Sequence, residues 1–183
     1  MIVMTPSDEN ETRQLLYTGY QFSGPAAVRY PRGVGPGVPI EQTMIEVQIG
    51  KGRIVRSGAR TAILNFGTLL SAAFDVAEKI GATIVDMRFV KPLDKDLIRE
   101  LAGTHELLVT VEENVIAGGA GAAVSEYLAA AAISIPILHI GIPDQFIDHG
   151  KHSQQLKSVG LDTTGILKKI DERLALLKIS QNP

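Results

Sequence analysis

The alternation of short apolar runs with helical patterns after residue 60 constrains the fold most strongly. The run TAILNF, Thr61–Phe66, is typical of a strand that is buried on both faces. Over residues 68–80, apolar side chains recur at helical spacing, and Gly81 follows as a helix-ending glycine. Strands and helices alternate in the same way over residues 83–89, 94–102, 107–112, 118–132, 137–140, 153–159 and 163–177. The pattern predicts an α/β domain with a mainly parallel sheet flanked by helices.

The first thirty-odd residues form a smaller pattern of strand, helix and strand. Thr5-Pro6-Ser7-Asp8 predicts a helix with Thr5 as the N-cap and Pro6 at the first helical position. A strand around Val3 precedes this helix, and a strand over residues 26–30 follows it. A unit of about 30 residues buries too little apolar surface to be stable alone. We therefore interpret it as the tail of a larger domain, and the chain as a fragment.

A glycine- and proline-rich stretch follows this unit. Residues 33–39, GVGPGVP, contain three glycines and two prolines, a composition that disfavours both helix and strand pairing. It predicts a linker and a domain boundary. Beyond it, residues 47–49 and Arg53–Arg56 are predicted to pair as a hairpin around Gly50-Lys51-Gly52.

Composition excludes several classes of function. The chain has 18 basic and 20 acidic residues and a net charge of −2, which gives no electrostatic basis for binding nucleic acid. Without cysteine it has no disulfide, thiolate nucleophile or cysteine metal site, which fits a reducing cytoplasm. Its N-terminus has no basic region typical of a signal peptide, and no apolar stretch is long enough to span a membrane. These features predict a soluble cytoplasmic protein.

The glycines of VEENVIAGGAG, residues 111–121, lie between a strand and a helix, where a phosphate or dinucleotide site would lie. The spacing departs from the dinucleotide fingerprint, because Val124 stands where Gly or Ala is required, and no GK[ST] motif follows. We therefore prefer close packing of the helix through its small residues. A small anionic regulator bound at Gly118 to Gly121, or at the loop 141–152, remains an alternative.

Four polar residues cluster in that loop, in PDQFIDHGKH. Asp144, Asp148, His149 and His152 offer oxygen and imidazole ligands, but their spacing matches no known metal motif. We interpret the segment as a polar loop without a metal, and leave the role of His149 open.

The remaining candidates have ordinary interpretations. Glu112 and Glu113 end a strand, where acids are usually solvated or paired, and His139 within a strand is predicted to be a buried imidazole with hydrogen-bond partners. His105 is predicted to lie on the surface. No Ser-His-Asp arrangement can be assigned, so we predict no catalytic residue, and nothing after residue 40 can run a reaction unaided.

Arg32 in AVRYPRG is different. Pro31 favours an extended approach to it, and Gly33 lets the backbone turn away afterwards. A guanidinium held there is a rigid five-donor group suited to phosphate or carboxylate. On these residues alone a solvated or salt-bridged arginine is the favoured interpretation, and Arg29 has no assigned role.

Six segments decide between these interpretations. In order, MTPSDENE, AVRYPRG, ILNFGT, ATIVDMRFVKPLD, VTVEENVIAGGAG and GIPDQFIDHG resemble the C-terminal third of the 1-deoxy-D-xylulose-5-phosphate synthase family. These are thiamine-diphosphate enzymes of the transketolase superfamily. The resemblance covers essentially the whole chain. VDMRFVKPLD and the EEN…GGAG segment are more specific than the superfamily pattern, which disfavours transketolase and the pyruvate dehydrogenase beta subunit.

The resemblance implies a domain organisation and a reaction. Residues 1–34 would end the pyrimidine-binding domain, 35–44 would be the linker, and 45–183 would form the complete transketolase-like C-terminal domain. The family condenses pyruvate with glyceraldehyde 3-phosphate and releases carbon dioxide, and its product feeds isoprenoid, thiamine and pyridoxal biosynthesis. Thiamine diphosphate, held with Mg²⁺, serves as the electron sink.

One site residue carries over to this chain. The arginine of the YPRG motif, here Arg32, helps to bind the phosphate of the acceptor in the family. The family's metal ligands, its activating glutamate and its active-site histidines lie upstream. We therefore expect this fragment to bind no cofactor, to be inactive alone and to serve structure and homodimer contacts. A regulator-binding module, a structural dimerisation domain and another enzyme of the superfamily are the alternatives.

Overall fold

The computed structural model describes residues 1–178 and contains two sheets. The N-terminal unit, residues 1–34, consists of β1 (Ile2–Met4), α1 (Glu9–Gln21) and β2 (Ala26–Val28). We refer to the residues from 45 onward as the body. Its elements are β3 (Arg53–Arg56), β4 (Thr61–Phe66), α2 (Leu70–Ile80), β5 (Thr83–Asp86), β6 (Phe89–Lys91), α3 (Lys95–Thr104), β7 (Leu107–Val115), α4 (Ala120–Ala130), β8 (Ile137–Ile142), α5 (His152–Ser158) and α6 (Thr163–Leu177).

The body has the predicted α/β architecture. Its five strands lie in the order β3-β5-β4-β7-β8, and all neighbouring pairs are parallel except β3 with β5. The mainly parallel sheet flanked by helices is therefore confirmed. Within residues 1–178, no helix has the length and apolar character that a membrane span requires.

Each face of this sheet has its own apolar core. Along β4 the side chains alternate between the two faces. Ile63 packs with residues of α2 and α6, whereas Leu64 packs with residues of α3 and α4. Both are fully buried. Because each core is made within the body, the apolar packing of this sheet does not depend on the N-terminal unit.

The N-terminal unit is joined to the body through a second, three-stranded sheet. β1 pairs in parallel with β2 and antiparallel with β6, a strand of the body. The predicted strand over residues 83–89 is therefore wrong in its extent. It ends at Asp86, the chain turns through Arg88 with φ of 58°, and Phe89 opens the new strand.

The small core under this second sheet is shared as well. Ile2, Met4 and Leu15 of the N-terminal unit pack against Val47 and Phe89 of the body. The predicted hairpin with residues 47–49 is wrong. β3 pairs with β5 instead, and the Val47 amide donates to Thr18 Oγ1 on α1 (2.8 Å).

The start of α1 also differs from the prediction. Asp8 is the N-cap, and its carboxylate accepts from the Glu11 amide (2.8 Å), so Thr5 and Pro6 lie ahead of the helix. The Thr5 amide instead donates to the carbonyl of Arg88 (2.7 Å). This bond prolongs the pairing of β1 with the body, so the chain is still extended where the capping motif predicted a helix.

The glycine- and proline-rich stretch runs along α1. The amides of Gly37 and Glu41 donate to the side chains of Glu9 (2.8 Å) and Asn10 (2.9 Å). Arg13 donates to the carbonyl of Gln42 (2.8 Å). These contacts give the predicted linker a defined path against the helix.

Candidate functional site

A cleft lies where the carboxyl ends of body strands face the segment that follows β2. β4 ends at Phe66, and Gly67, with φ of 99°, turns the chain toward Thr68 and α2. β7 carries Glu113 next to this turn. The carboxyl edge of a parallel sheet is the usual place for ligands in α/β proteins. The cleft therefore occupies the position expected for a functional site.

Residues 30–36 form one wall of this cleft, which has a volume of about 320 Å³. Tyr30, Pro31 and Gly33 line it on this side, opposite Thr68 and Glu113. Arg32 lies at the rim between two lining residues, and its side chain is exposed. In the part of the chain that the structure describes, no hydrogen bond or ion pair involves its guanidinium.

Arg29 connects this wall to the body. Its amide donates to the Met4 carbonyl (2.8 Å), which continues the pairing of β2 with β1. Its guanidinium Nη2 donates to the Glu113 carbonyl (2.7 Å) and lies 3.5 Å from Asn114 Oδ1. The residue without an assigned role is therefore a link between the N-terminal unit and the end of β7.

The Glu113 carboxylate makes the second set of contacts in the cleft. It accepts from Thr68 Oγ1 (3.0 Å), and its other oxygen lies 2.6 Å from His152 Nε2 at the start of α5. Of the two outcomes expected for an acid at this strand end, solvated or paired, Glu113 shows the paired one. Its bonds hold the first turns of α2 and α5 at the floor of the cleft.

The other acids of the cleft also have partners. Asp8 caps α1, and Glu9 accepts from the Gly37 amide, a hydrogen bond that lowers the pKa of the Glu9 carboxyl. These contacts fix the positions of both side chains beside the cleft. Within residues 1–178 the Arg32 guanidinium makes no hydrogen bond or ion pair, so it is available to attract an anion to the cleft.

A buried polar cluster holds the N-terminal unit on the body below the cleft. We call it the seam cluster, and its members are Ser7, Glu11, Arg53, Asp86 and Arg88. Arg88 Nε donates to Glu11 Oε1 (2.7 Å), and Arg53 Nη2 donates to Asp86 Oδ2 (3.2 Å). The Ser7 hydroxyl lies 2.8 Å from Glu11 Oε2 and 3.0 Å from Asp86 Oδ2.

Proton counting explains this arrangement. The Ser7 hydroxyl has one proton and cannot donate to two carboxylates at once. Burial and the neighbouring Glu11 raise the pKa of Asp86 well above its usual value, which favours the protonated carboxyl that can supply the second proton. Burial disfavours ionisation of Glu11 as well. Its hydrogen bonds with Asp86 and Ser7 and the charge of Arg88 outweigh that penalty and lower its pKa.

The glycine segment before α4 is already occupied by a carboxylate of the protein. Glu112 accepts from the amides of Ala120 and Gly121 at the helix N-terminus, both at 2.8 Å. A Cβ at Gly119 would collide with this carboxylate, and one at Gly121 would collide with Thr110 and His139. The prediction that small residues let this helix pack closely against the sheet is confirmed, and an anion there would have to displace Glu112.

His139 has a partner at each ring nitrogen, as predicted. Its Nδ1 lies 2.7 Å from Thr110 Oγ1, and its Nε2 lies 2.8 Å from Ser125 Oγ. Burial lowers the pKa of this imidazole. His105, predicted to lie on the surface, is half-buried and lies 2.8 Å from Thr83 Oγ1.

The loop after β8 does not gather its polar residues. Asp144, Asp148 and His149 are exposed, and His152 turns toward Glu113. Among residues 1–178, no three His, Cys, Asp or Glu side chains come together as metal ligands would.

We also tested whether a diphosphate fits the described helices. Carboxylates of the chain occupy the N-termini of the longer ones except α2: Asp8 on α1, Asp94 on α3, Glu112 on α4 and Asp162 on α6. A diphosphate binds where free amide groups and a metal are at hand. Among the longer described helices only α2 leaves its N-terminal amides without such a carboxylate, and no acidic cluster that could hold a metal lies among residues 1–178.

Comparison with known proteins identifies the family. Residues 50–166 match the model of the transketolase C-terminal domain. The chain belongs to the transketolase C-terminal domain family. It is 58% identical over 180 residues to 1-deoxy-D-xylulose-5-phosphate synthase from Pseudomonas fluorescens Pf-5 and 59% identical over 177 residues to the enzyme of the same name from Cellvibrio japonicus. These matches cover 98% and 97% of this chain but only 28% of the length of each relative.

Solved structures support the family fold. A structure titled split gene transketolase, inactive beta4 tetramer, matches with a TM-score of 0.81 and 27% identity, over 96% of this chain and 58% of that one. Transketolase from Campylobacter jejuni shares the fold at a TM-score of 0.67 and 13% identity, over 93% and 26% of the two chains. Both matches support the α/β fold of the chain.

Sequence reasoning identified the segment beside the cleft but missed most of its contacts. It singled out Arg32, which the structure places at the rim, and left Arg29 without a role. The bonds of Glu113 to Thr68 and His152 were missed too, although a paired carboxylate was expected. The strand-end position of Glu113 was the only available signal, because its partners lie 45 and 39 residues away.

Proposed function

We propose that the chain is the C-terminal part of a 1-deoxy-D-xylulose-5-phosphate synthase. The observation that carries this proposal is the 58% identity to such an enzyme over 98% of the chain. The whole protein would condense pyruvate with glyceraldehyde 3-phosphate and release carbon dioxide. It would be a cytoplasmic homodimer that supplies isoprenoid, thiamine and pyridoxal biosynthesis.

Thiamine diphosphate and Mg²⁺ belong to the whole protein in this proposal. When bound, the cofactor takes up the electrons released by decarboxylation. The described residues offer it neither a free acidic cluster nor a diphosphate cradle, so we expect residues 1–183 alone to be inactive and to bind no cofactor. Titration calorimetry tests this expectation, and tight binding of thiamine diphosphate with Mg²⁺ to the chain alone would refute it.

Within this reaction we assign Arg32 to the phosphate of glyceraldehyde 3-phosphate. Its guanidinium is exposed at the rim of the cleft and makes no ion pair in the described part of the chain. Phosphate lies away from the reacting aldehyde, and binding energy from such a remote group orients the carbonyl for attack.

The test of this assignment is Arg32→Ala in the intact enzyme. Loss of a charged hydrogen bond of about 2 kcal/mol should raise the KM for glyceraldehyde 3-phosphate roughly 30-fold. The KM for pyruvate should change by less than about twofold, because pyruvate has no phosphate for Arg32 to bind. Equal increases for both substrates would show that Arg32 does not bind the acceptor phosphate.

Homodimer formation is supported by an apolar face of α1. Leu16 and Tyr20 of α1 lie together with Met44 of the segment beside the helix, with exposed fractions of 49%, 85% and 47%. Such a patch is typical of a surface that another domain or subunit covers. Analytical ultracentrifugation of the intact protein should give a dimer, and a monomer at micromolar concentration would contradict this part of the proposal.

A further inference from the structure

Within residues 1–178, Arg29 makes the only guanidinium contact between the 29–33 segment and the edge of the large sheet. Its Nη2 donates to the Glu113 carbonyl (2.7 Å), and Asn114 Oδ1 lies at 3.5 Å. The residues joined are 84 and 85 positions apart in the chain. The contact therefore sets the distance between the strand end of the N-terminal unit and the strand end of the body.

The backbone leaves little slack between this contact and Arg32. The Arg29 amide is fixed on Met4, and Tyr30 and Pro31 line the cleft directly afterwards. Pro31 fixes its own φ and restricts Tyr30 to extended conformations. A shift of Arg29 would therefore carry the Tyr30-Pro31-Arg32 segment with it.

We propose that Arg29 is a positioning residue, which holds the 30–33 segment against the body and thereby places Arg32 at the rim of the cleft. Because its guanidinium is bonded to the Glu113 carbonyl, Arg29 affects the binding of glyceraldehyde 3-phosphate only through Arg32. The functional consequence rests on the proposed function of Arg32, whereas the positioning itself does not.

The first experiment measures positioning directly. The chain has no cysteine, and a Cβ at Gly33 would have no atom within 4 Å, so Gly33→Cys accepts a nitroxide spin label. We expect Arg29→Met to increase the mobility of the label in its electron paramagnetic resonance spectrum. Arg56→Met is the matched control, since Arg56 also donates to a backbone carbonyl, that of Ala82, but on β3.

Equal label mobility in the Arg29→Met and Arg56→Met proteins would overturn the proposal. If Arg29→Met does not fold, Arg29→Lys makes the same comparison, because lysine keeps the charge and loses the planar fork. In Arg29→Lys we expect the label to be more mobile than in the unsubstituted chain, but less mobile than complete loss of the contact would make it. Mobility equal to that of the unsubstituted chain would overturn the proposal.

The second experiment is a double-mutant cycle in the intact enzyme. Arg29→Met alone should raise the KM for glyceraldehyde 3-phosphate about fivefold and that for pyruvate less than about twofold. In the Arg32→Ala background, Arg29→Met should add less than about twofold, because the residue through which it acts is gone. Arg56→Met should change neither KM.

Full additivity of the two substitutions would overturn positioning, because it would mean that Arg29 acts independently of Arg32. If Arg32→Ala itself has no selective effect on the acceptor, the assignment of Arg32 fails. The spin-label comparison then still decides whether Arg29 positions the segment, so the two failures are distinguishable.

Discussion

The two parts of the molecule are stabilised in different ways. The body buries its own apolar side chains on both faces of a five-stranded sheet. The N-terminal unit completes its small core with Val47 and Phe89 of the body, and its polar contacts cross the same boundary through the seam cluster. The wall of the cleft that carries Arg32 therefore depends on contacts with the body, whereas the floor does not depend on the N-terminal unit.

The largest expected effect compares two fully buried aliphatic residues, Ile63 in the body and Leu15 in the N-terminal unit. Truncation to alanine should cost about 3 to 4 kcal/mol at each site. Ile63→Ala should destabilise the whole chain, and Leu15→Ala should loosen only the N-terminal unit. Hydrogen exchange measured by peptide checks this difference. Equally faster exchange throughout β4 and β7 in the Leu15 variant would contradict the separation.

The next effect concerns the charges at the seam. Arg88→Met leaves the Glu11 carboxylate, which is only 5% exposed, without its closest cation, and we expect a loss of about 2 to 3 kcal/mol. Arg53→Met is the control, since Arg53 is half-exposed and lies 3.8 Å from Glu11. Urea denaturation of both variants measures the difference, and equal losses would show that Arg88 has no special role.

The body and the N-terminal unit also differ in how well their structures could be predicted from the sequence. The body was predicted well because its strands and helices follow from local apolar periodicity, as in Thr61–Phe66 and Thr163–Leu177. The start of α1 was predicted wrongly, because Thr5 and Asp8 are both good capping residues. Which of them caps the helix depends on a bond from Thr5 to Arg88, 83 residues away.

In the candidate site, too, the sequence indicates some residues and gives no sign of other contacts. Arg32 could be singled out because Pro31 and Gly33 form a recognisable motif around it, and its role in binding phosphate stays a prediction. The link from Arg29 to the Glu113 carbonyl leaves no trace in the sequence, since any residue at position 113 has a carbonyl group. The seam cluster was missed because its acids and arginines come from three separate segments of the chain, around Glu11, Arg53 and residues 86–88.

The two parts should also respond oppositely to pH. Asp86 has a raised pKa, so its contribution is complete below the ordinary value of 3.8 and is lost as pH rises through the folded-state pKa. His139 has a lowered pKa, so its contribution is present above 6.5 and is lost as pH falls through the folded-state pKa. From pH 5 to 8, opening free energies from hydrogen exchange, corrected for intrinsic rates, should fall at β1, which the seam cluster holds on the body, and rise at β7, which carries the Thr110 partner of His139.

Asp86→Asn is the control for the pH experiment. An amide at this position cannot ionise, so the fall at β1 should disappear while the rise at β7 remains. A fall at β1 that persists in the Asn variant would mean that another group causes it.

The smallest expected effect concerns the hydrogen bonds of His139 with Thr110 and Ser125 in the body. Ser125→Ala removes the partner of His139 Nε2, which lies 2.8 Å from the serine hydroxyl. We expect a loss of about 1 kcal/mol, spread over the whole body, because one half-buried hydrogen bond is lost. Thermal unfolding measures it. If Ser125→Ala lowered the free energy of unfolding as much as Arg88→Met does, the expected difference between the His139 hydrogen bonds and the charged seam cluster would be contradicted.

The central claim is tested most directly by the reaction of the intact protein. With [2-¹³C]pyruvate and glyceraldehyde 3-phosphate, ¹³C NMR should show 1-deoxy-D-xylulose 5-phosphate forming only when thiamine diphosphate and Mg²⁺ are present. Transfer of a two-carbon unit from xylulose 5-phosphate to ribose 5-phosphate, with no product from pyruvate, would instead place the protein among the transketolases and contradict the claim.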